Sequence, residues 1–466
     1  MSQSQRKRML PDVRTIWRWH FYAGLFCVPF VLWLSLTGII YLFKPQIEGW
    51  MDRPYEGLLA PGESALRPGE LVTAALASAP GSSLSYYQLP RNAGGAPQIV
   101  VNRDLEEQRI YIHPGTAEVL HRIGEQDRPL SKVFLLHGEL MAGDKGSMLI
   151  ELAGCWTIVL ILTGLALWWP RTEFQAAGFL YPRLQLTGRL WWKDLHSVTG
   201  LWASIFVLGL LLTGLPWAKS WGGYFRMVRT SFAGITTAPD WPAGGSSENA
   251  GAANSRSGHG LHSPPKEAEK APARFGKRAM QPPPVPDAYA AIDRLLPAVE
   301  RLPLAYPVQI LPPVRKDGSW FARSNSQNRM RQDSFTLDPA NGAILRHEKF
   351  SDKPAMDRVV SMGISYHEGQ LFGILNQMVG LLTALGAATL SLSSVVMWWR
   401  RRPAGTLGAP VAAQWPAVGL LAIASILVLA VVFPMLGVSI IALALLERVV
   451  LRRSPGISRW LGMAQA

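Results

Sequence analysis

The feature that most constrains this chain is a series of long apolar runs separated by polar segments. A helix that crosses a membrane needs about 20 apolar residues to span a core of roughly 30 Å, and four runs approach or exceed that length. Each of the four predicts a transmembrane helix. Two further runs flank Pro434 and predict a tight helical hairpin, although the shorter one is also compatible with a re-entrant segment. The four runs are 21–43, 149–169, 201–217 and 379–399, and the two flanking runs are 417–433 and 436–446.

The positions of the basic residues indicate how these spans are oriented. The formal net charge of +14 is compatible with nucleic-acid binding, but the Lys and Arg residues cluster between the spans, with very few acidic residues among them. All clusters lie on one side if the spans alternate, as the positive-inside rule requires. The N-terminus and C-terminus are then cytoplasmic, and no nucleic-acid partner is expected. The clusters are 6–18, 171–193, 400–402 and 448–459.

The first apolar run is expected to remain as a membrane anchor. Arg6, Lys7 and Arg8 precede it as they would precede a signal peptide, but the run is long and lacks a small-residue cleavage site. Cys27 and Cys155 both lie within predicted spans, and the chain has neither a CxxC pair nor a CxxCH motif. The number and positions of the cysteines therefore predict no covalently attached haem, no zinc site and no disulfide framework.

The spans belong to an internal duplication. In each half a histidine is followed by Gly-Leu and, one span later, by Thr-Gly, and a second histidine precedes a Trp-Trp pair by 31 residues. The first pattern is His20, Gly24-Leu25 and Thr37-Gly38, repeated 176 residues later as His196, Gly200-Leu201 and Thr213-Gly214. The second is His137 with Trp168-Trp169, repeated as His367 with Trp398-Trp399.

The outer segments 45–133 and 218–358 also repeat. Each contains a helical stretch, a strand and a strand–turn–strand pattern that is typical of a β-hairpin, so we expect two small α+β domains. The predicted helices lie near 68–79 and 287–296, the strands at 98–102 and 320–324, and the hairpins at 110–120 and 335–345. Residues 238–286 are rich in Gly, Ser, Pro and Ala and predict disorder. They hold His259 and His262, for which metal binding is a weak alternative to a linker.

Four of the nine histidines lie at predicted span ends, one for each core helix. His20 and His196 are predicted on the cytoplasmic side, and His137 and His367 on the outer side. Polar groups at membrane depth are costly and usually have a partner. Haem iron accepts imidazole axially, and a bundle supplies facing ligands from different helices. We therefore expect one haem between His20 and His196 and another between His137 and His367.

A different metal is the competing interpretation of these histidines. A zinc site needs clustered ligands, often with Cys or carboxylates, and pairs at opposite membrane faces argue against it. Copper or iron ions remain alternatives.

Glycines favour a porphyrin at the first pair, because Gly24 and Gly200 lie one helical turn from the histidines. Gly38 and Gly214 lie five helical turns after the histidines and so return to the same helix face. Close packing between helices explains such a stripe of small residues equally well.

The remaining glycine, glutamate and histidine candidates are weaker. Gly143 and Gly373 lie six residues after the outer histidines and are a weaker match to the glycine pattern. Glu151, inside the second span, predicts a helix–helix hydrogen bond more readily than a proton relay or a quinone contact. His113 stands in a hairpin turn where the second copy has Asp338, which favours a structural role.

Three cytoplasmic basic residues are candidates for binding haem propionates. Arg18, Arg189 and Lys193 lie close in sequence to His20 and His196. Positive-inside charge explains them better than a ligand does.

The residues Trp19-His20-Phe21-Tyr22-Ala23-Gly24-Leu25, Thr37-Gly38 and 41–46 resemble the opening of the PepSY-associated transmembrane helix family (PepSY_TM). These are bacterial inner-membrane proteins often described as iron-regulated or as ferrisiderophore reductases. The strand–Asp-Pro-x-x-Gly–strand pattern at 335–345 resembles the PepSY repeat, from which the copy at 110–120 departs by having His113. The resemblance covers roughly 14–400.

The resemblance implies a haem-dependent transmembrane ferric (siderophore) reductase with two haem b groups, held by His20, His137, His196 and His367. Electrons are then expected to enter on the cytoplasmic side and to reduce a periplasmic ferric siderophore between the outer domains. Reduction weakens binding by hard oxygen ligands, so iron becomes exchangeable. No GxGxxG motif follows a strand, so the sequence gives no sign of a nicotinamide or flavin domain. The electron donor is then expected to be external, either a cytoplasmic reductase or a membrane quinol. The catalytic residues are not predicted.

The main alternative is a non-enzymatic membrane protein whose PepSY domains bind peptide or regulate a protease, with structural histidines. A transporter for iron or a chelate is the third possibility, against which charged groups inside the spans are scarce and no pair of broken helices stands out.

The predicted fold is a mainly α-helical membrane protein with a four-helix transmembrane core, a C-terminal helical hairpin and two small α+β PepSY-like periplasmic domains. It is expected in the bacterial inner membrane, in contact with its lipid. The predicted boundaries are 1–44 (N-terminus and first span), 45–133 (outer domain 1), 134–170 (second span), 171–194 (cytoplasmic loop), 195–219 (third span), 220–357 (outer domain 2, with insert 238–286), 358–400 (fourth span), 401–415 (cytoplasmic loop), 416–450 (hairpin) and 451–466 (tail).

Overall fold

Helices account for most of the residues that the structure describes. The computed structural model describes residues 11–104, 106–170, 175–233, 289–313, 318–410 and 419–463, so the predicted disordered insert with His259 and His262 lies outside the described residues. The helices are α1 (Val13–Leu42), α2 (Lys44–Asp52), α3 (Pro68–Ser78), α4 (Pro129–Glu139), α5 (Gly143–Trp168), α6 (Gly188–Gly214), α7 (Lys219–Ala233), α8 (Ala291–Val299), α9 (Ala355–His367), α10 (Ile374–Arg401), α11 (Leu420–Val432), α12 (Pro434–Leu446) and α13 (Pro455–Trp460).

Five of the described helices are long and apolar enough to cross a membrane. They are α1, α5, α10, α6 with its extension to Trp217, and α12 with its extension to Leu451. The prediction of a multi-pass membrane protein is confirmed. At the C-terminal hairpin, α11 is too short to count among these spans. It folds back on α12 at Pro434, so closely that a Cβ on Gly437 would lie 3.1 Å from the Cβ of Ala430.

Four of these apolar helices pack against one another. Helix α1 contacts α5 and α10, and α6 contacts the same two helices. Small side chains such as Ala23 and Ala153 are buried between them, which lets membrane helices approach closely. Cys27 and Cys155 are buried free thiols, as their positions predict, and the Cys27 thiol lies 3.6 Å from the carbonyl of Ala153.

The second and fourth predicted spans each divide into two helices. The chain turns between α4 and α5, where Leu140 and Met141 have positive φ angles of 50° and 57°. Gly143 and Gly373 also have positive φ and begin α5 and α10. Glycine adopts this conformation without a steric penalty, so their role is in the turns. The expectation of one histidine for each spanning helix is therefore wrong for His137 and His367, which lie on α4 and α9.

The outer segments build one continuous sheet, whereas the sequence predicts two separate domains. The strands are β1 (Ser83–Gln88), β2 (Gln98–Arg103), β3 (Glu106–Ile112), β4 (Val119–Gly124), β5 (Val308–Leu311), β6 (Trp320–Ser324), β7 (Ser334–Leu337) and β8 (Ile344–Glu348), in the order β4-β3-β2-β1-β5-β6-β7-β8. All pair antiparallel. Strands β1 and β5, which the sequence interpretation missed, join the halves through Tyr87↔Ile310 and Gln88↔Gln309.

The two faces of this sheet have different chemistry. One face packs on α3 and α8 through an apolar core that includes Ile99, Ile110 and Ile292. Alternation along the strands turns a row of buried polar side chains to the opposite face. These are Gln88, Gln98, Arg109, Gln309 and Arg323. The outer segment is thus a sheet with an apolar helical layer on one side and a mixed buried layer on the other, where these polar side chains share the face with a smaller cluster of Tyr86, Val100, Leu311 and Phe321.

Ion pairs and hydrogen bonds join the sheet to the outer ends of the spans. Arg128 lies 2.7 Å from Glu48 and 3.5 Å from Glu125, and Glu125 in turn pairs with Arg109 on β3 at 2.5 Å. Helix α2 is tied to α10 by a hydrogen bond of 2.8 Å from Gln46 to Gln377. The sheet is therefore fixed above the end of the bundle that carries His137 and His367.

Candidate functional site

The four predicted histidines meet in the two predicted pairs. The ring centroids of His20 on α1 and His196 on α6 lie 6.4 Å apart, with an angle of 85° between the ring planes. Those of His137 on α4 and His367 on α9 lie 6.3 Å apart, at 75°. Each pair thus takes one histidine from each half of the duplication. We call His20 with His196 the inner pair and His137 with His367 the outer pair.

These separations suit a metal held between two imidazoles. An imidazole nitrogen binds a metal at about 2 Å, which places the centroids of two rings on opposite sides of one metal roughly 6 Å apart. Both observed separations match. Among the described residues no three His, Cys, Asp or Glu side chains cluster as a metal site. The donor set is therefore two nitrogens per site, which fits the axial positions of a haem iron better than tetrahedral zinc.

A hydroxyl on a neighbouring helix orients each ring of the inner pair. His20 Nδ1 lies 3.0 Å from Thr163 Oγ1 on α5, and His196 Nδ1 lies 3.0 Å from Ser393 Oγ on α10. Thr163 donates its own proton to the carbonyl of Val159 at 2.7 Å, and Ser393 donates to the carbonyl of Leu390 at 3.1 Å. A hydroxyl that donates to such a carbonyl accepts from the ring, and this arrangement assigns the proton to Nδ1 of the histidine.

The outer pair is oriented in the same way. His137 Nδ1 lies 2.9 Å from Thr37 Oγ1, which donates to the carbonyl of Trp33 at 2.8 Å. His367 Nδ1 lies 3.3 Å from Thr213 Oγ1 and 2.9 Å from the carbonyl of Leu210. A carbonyl can only accept, so Nδ1 of His367 is also the protonated nitrogen.

The four contacts leave Nε2 of every ring as an unprotonated donor for a metal. Fixing the proton on one nitrogen selects the other as the ligand, and such outer contacts orient metal-binding histidines generally. The arrangement is reciprocal, because α1 carries His20 and also Thr37, the contact of His137. Helix α6 repeats it with His196 and Thr213. One helix in each half therefore helps to build both pairs.

Glycines leave room for these imidazole rings, whereas the sequence suggested that glycines leave room for a porphyrin. A Cβ on Gly38 would lie 3.3 Å from Cε1 of His137, and one on Gly214 would lie 3.0 Å from Cε1 of His367. Gly164 has the same relation to His20, at 3.1 Å. In each Thr-Gly motif the threonine hydroxyl thus contacts an imidazole, and the glycine leaves space for the same imidazole. A Cβ on Gly24 would lie 3.8 Å from Leu160, which is an ordinary packing distance.

The C-terminal tail contacts residues on either side of His20. Arg18 donates to the carbonyls of Pro410 and, at 2.8 Å, Gly462, and Tyr22 donates to the carbonyl of Leu461. The guanidinium of Arg401 lies 4.6 Å above the ring of Trp17. Arg18, one of the three predicted propionate partners, therefore anchors the tail.

Helix α7 anchors the helix that carries His367. Arg229 on α7 forms a buried two-point ion pair with Asp357 on α9, at 2.9 and 2.7 Å. The first turn of α7 is held by Glu151 on α5, which accepts from the backbone N–H of Ser220 at 2.9 Å and of Trp221 at 3.1 Å. A carboxylate is favourable at a helix N-terminus, so the predicted helix–helix hydrogen bond of Glu151 is confirmed.

His113 stabilises its own hairpin turn. Its Nδ1 accepts from the backbone N–H of Gly115 at 3.1 Å and of Thr116 at 3.2 Å. Asp338 accepts from Ala340 N–H at 2.8 Å in the matching turn. The structural interpretation of His113 agrees with these contacts.

Sequence reasoning missed Thr163 and Ser393, although a signal was present. They lie 230 residues apart, the offset that also relates His137 to His367. The serine in place of threonine and the loss of the following glycine hide the repeat.

Comparison with known protein families gives a match over most of the chain. The family described as PepSY-associated TM region matches residues 17–401. No curated protein matches the chain.

Proposed function

Because the chain belongs to the PepSY-associated TM region family, we propose that it is a dihaem b-type transmembrane electron-transfer protein that reduces a periplasmic ferric chelate. In this proposal α1, α5, α6 and α10 form the electron-transfer core, and the two halves of the sheet are PepSY repeats. When bound, each haem would supply a one-electron carrier. The acceptor class is a ferric siderophore, whose reduction serves iron release and uptake.

The observation that carries the proposal is the pairing of four histidines with their protons fixed on Nδ1. The centroid separations of 6.4 and 6.3 Å leave room for one metal in each pair. His20, His196, His137 and His367 would be the axial ligands. A purely structural histidine needs no such arrangement, repeated four times with a hydroxyl from another helix.

The spacing of the pairs supports transfer across the membrane. On α1, His20 belongs to one pair and Thr37 contacts the other, 17 positions on. A helix rises about 1.5 Å per residue, so the two pairs lie roughly 25 Å apart along the helix. That distance approaches the thickness of the apolar core of a bilayer, about 30 Å. Two carriers at these positions would serve opposite faces.

Contacts between the sheet and α9 support an exit for electrons on the sheet side. The backbone N–H of Arg329 donates to Ser365 Oγ at 2.9 Å, and Gln327 donates to Glu368 at 3.4 Å. These bonds bring a loop of the second sheet half against the end of α9, beside His367. A ferric chelate at this junction would take one electron and become ferrous, and hard oxygen ligands hold ferrous iron less tightly.

The distribution of charge supports an orientation with the inner pair toward the cytoplasm. Arg18, Arg401 and the tail meet at the end of the bundle that carries His20 and His196. Positive residues favour the cytoplasmic side. The bacterial inner membrane is then the location, both termini are cytoplasmic, and the donor is a cytoplasmic reductase or a membrane quinol.

Single-turnover reduction tests the proposed activity. The purified protein is reduced without oxygen, freed of reductant and mixed with ferric desferrioxamine and a chromogenic ferrous chelator. We expect the haem bands to reoxidise while the ferrous complex forms, one iron per electron released. His367→Ala should retain the inner haem and lose fast iron reduction.

Reduced bands that persist in the presence of several ferric chelates would contradict the proposal. A colourless protein from haem-replete cells that binds peptides through its sheet would instead support the non-enzymatic alternative.

A further inference from the structure

Trp217 carries a buried polar atom that the fold leaves unused. Its indole N–H is enclosed by protein, and among the described residues it has no hydrogen-bond partner. Six other tryptophans of the described chain donate their indole N–H to an acceptor. They are Trp33, Trp156, Trp168, Trp202, Trp221 and Trp398, at 2.8 to 3.2 Å.

Buried donors without an acceptor are rare in native proteins because desolvation costs free energy that nothing recovers. An orphaned donor therefore calls for an acceptor that the polypeptide itself does not provide. Trp217 packs against Ile364 in an apolar cluster that also holds Phe225 and Val360, and none of these three side chains is polar. No described residue supplies the acceptor, so a bound molecule can supply it.

The position of Trp217 identifies the site that such an acceptor would share. Its ring centroid lies 6.3 Å from that of His367 and 5.9 Å from that of Phe134. It follows Thr213, the hydroxyl contact of His367, by four residues, at the end of a 3-10 turn (Leu215–Trp217) that continues α6. The orphaned N–H thus stands beside the outer histidine pair.

The chemistry of a porphyrin restricts which atom could accept this bond. The periphery of haem b consists of carbon and hydrogen except for two propionate carboxylates. A hydrogen bond from a neutral donor to a carboxylate is charge-assisted and stronger than one between neutral groups. The oxygen that suits an indole N–H at the outer site is therefore a propionate oxygen.

We propose that the indole N–H of Trp217 donates a hydrogen bond to a propionate of the porphyrin held between His137 and His367. This inference rests on the proposed function, because it needs a haem in the outer pair. The bond draws negative charge away from the carboxylate. A less negative carboxylate stabilises ferric iron less, so Trp217 raises the reduction potential of the outer haem.

The test uses the full chain with a single haem. In a His20→Ala background only the outer haem remains to be titrated. Trp217→Phe keeps an aromatic ring but removes the N–H. We expect it to retain the haem while the ferrous-to-ferric ratio at a fixed potential falls several-fold, a tenfold fall corresponding to ~59 mV for one electron. The matched control is Trp221→Phe, whose N–H already donates to the carbonyl of Val432 at 3.0 Å. It should titrate like the parent.

A second measurement needs no variant to bind haem. Redox-difference infrared spectra of the parent labelled with indole-¹⁵N tryptophan should show an ¹⁵N-sensitive N–H band coupled to haem reduction. A haem-loaded protein without that band, or a Trp217→Phe titration that overlays the parent, overturns the inference and leaves the dihaem proposal standing. A parent protein that binds no haem overturns both.

Discussion

His137 and Thr37 meet across the bundle with 2.9 Å between Nδ1 and Oγ1, although they belong to different helices and lie 100 positions apart in sequence. The hydroxyl has already given its proton to the carbonyl of Trp33, so the contact decides which ring nitrogen of His137 can bind a metal. The same relation holds for His20 with Thr163 and for His196 with Ser393. These contacts leave the ring nitrogen free that the proposed ligation needs.

Removing one of these hydroxyls should weaken one haem site and spare the other. Thr163→Val takes away the acceptor of His20 Nδ1, and contacts of this kind are worth roughly 10–100-fold in metal affinity. We expect a matching loss of inner haem on dilution, measured from the reduced-minus-oxidised spectrum. Thr157→Val is the control, because the hydroxyl of Thr157 on the same helix donates to the carbonyl of Ala153 at 2.7 Å and contacts Cys27 rather than a histidine. Equal haem loss in both variants would show that the hydroxyl has no role in ligation.

Filling the clearance beside an outer histidine should displace that ring. In Gly214→Ala the new Cβ would lie 3.0 Å from Cε1 of His367, closer than ordinary packing allows. Alanine favours helix over glycine by about 1 kcal/mol, so loss of outer haem in a folded variant would come from the ring. Gly223→Ala is the control, with no described atom within 4 Å of its Cβ. Unchanged haem content in Gly214→Ala would refute the clearance role.

Breaking the buried ion pair on α9 should destabilise the outer end of the protein. Removing one member of a buried pair leaves an uncompensated charge and costs about 3–5 kcal/mol. We expect Arg229→Met or Asp357→Leu alone to lower the thermal midpoint more than the double replacement does. Thermal unfolding in detergent, followed by tryptophan fluorescence, measures this. Additive effects of the two replacements would mean that the side chains are not coupled.

The sheet should show a pH dependence that comes from Glu107. Burial, with a smaller contribution from Glu125, raises the pKa of Glu107 from 4.5 to about 7. The folded state then holds an extra proton between those values, so this residue makes stability fall as pH rises through that window. Glu107→Gln cannot lose a proton, and it should gain stability relative to the parent on going from about pH 5 to about pH 8. Thermal midpoints at both pH values test this, and a constant difference would contradict it.

The sequence was sufficient to predict the histidine pairs because the information is local. An apolar run identifies a span, and a histidine at the end of that run is expected near one face of the membrane. The duplication then relates His20 to His196 and His137 to His367. The hairpins β3–β4 and β7–β8 were predictable for the same reason, since the strand alternation and the turn lie within a few residues.

The parts that could not be predicted depend on contacts between distant segments. Strands β1 and β5 carry few alternating apolar residues, and only their pairing at Gln88↔Gln309 merges two predicted domains into one sheet. The breaks before α5 and α10 depend on positive φ angles at Met141 and Gly373, which apolar periodicity does not report. The role of Gly214 needed the position of the His367 ring.

The most direct test of the central claim is the haem content of three purified proteins. Haem and iron per chain are measured for the parent, His20→Ala and His367→Ala, together with the low-spin b-type spectrum. The account predicts a red parent with two haems per chain and one haem in each variant, with a different haem lost in each. A colourless parent from haem-replete cells, or variants that lose both haems or neither, would contradict it.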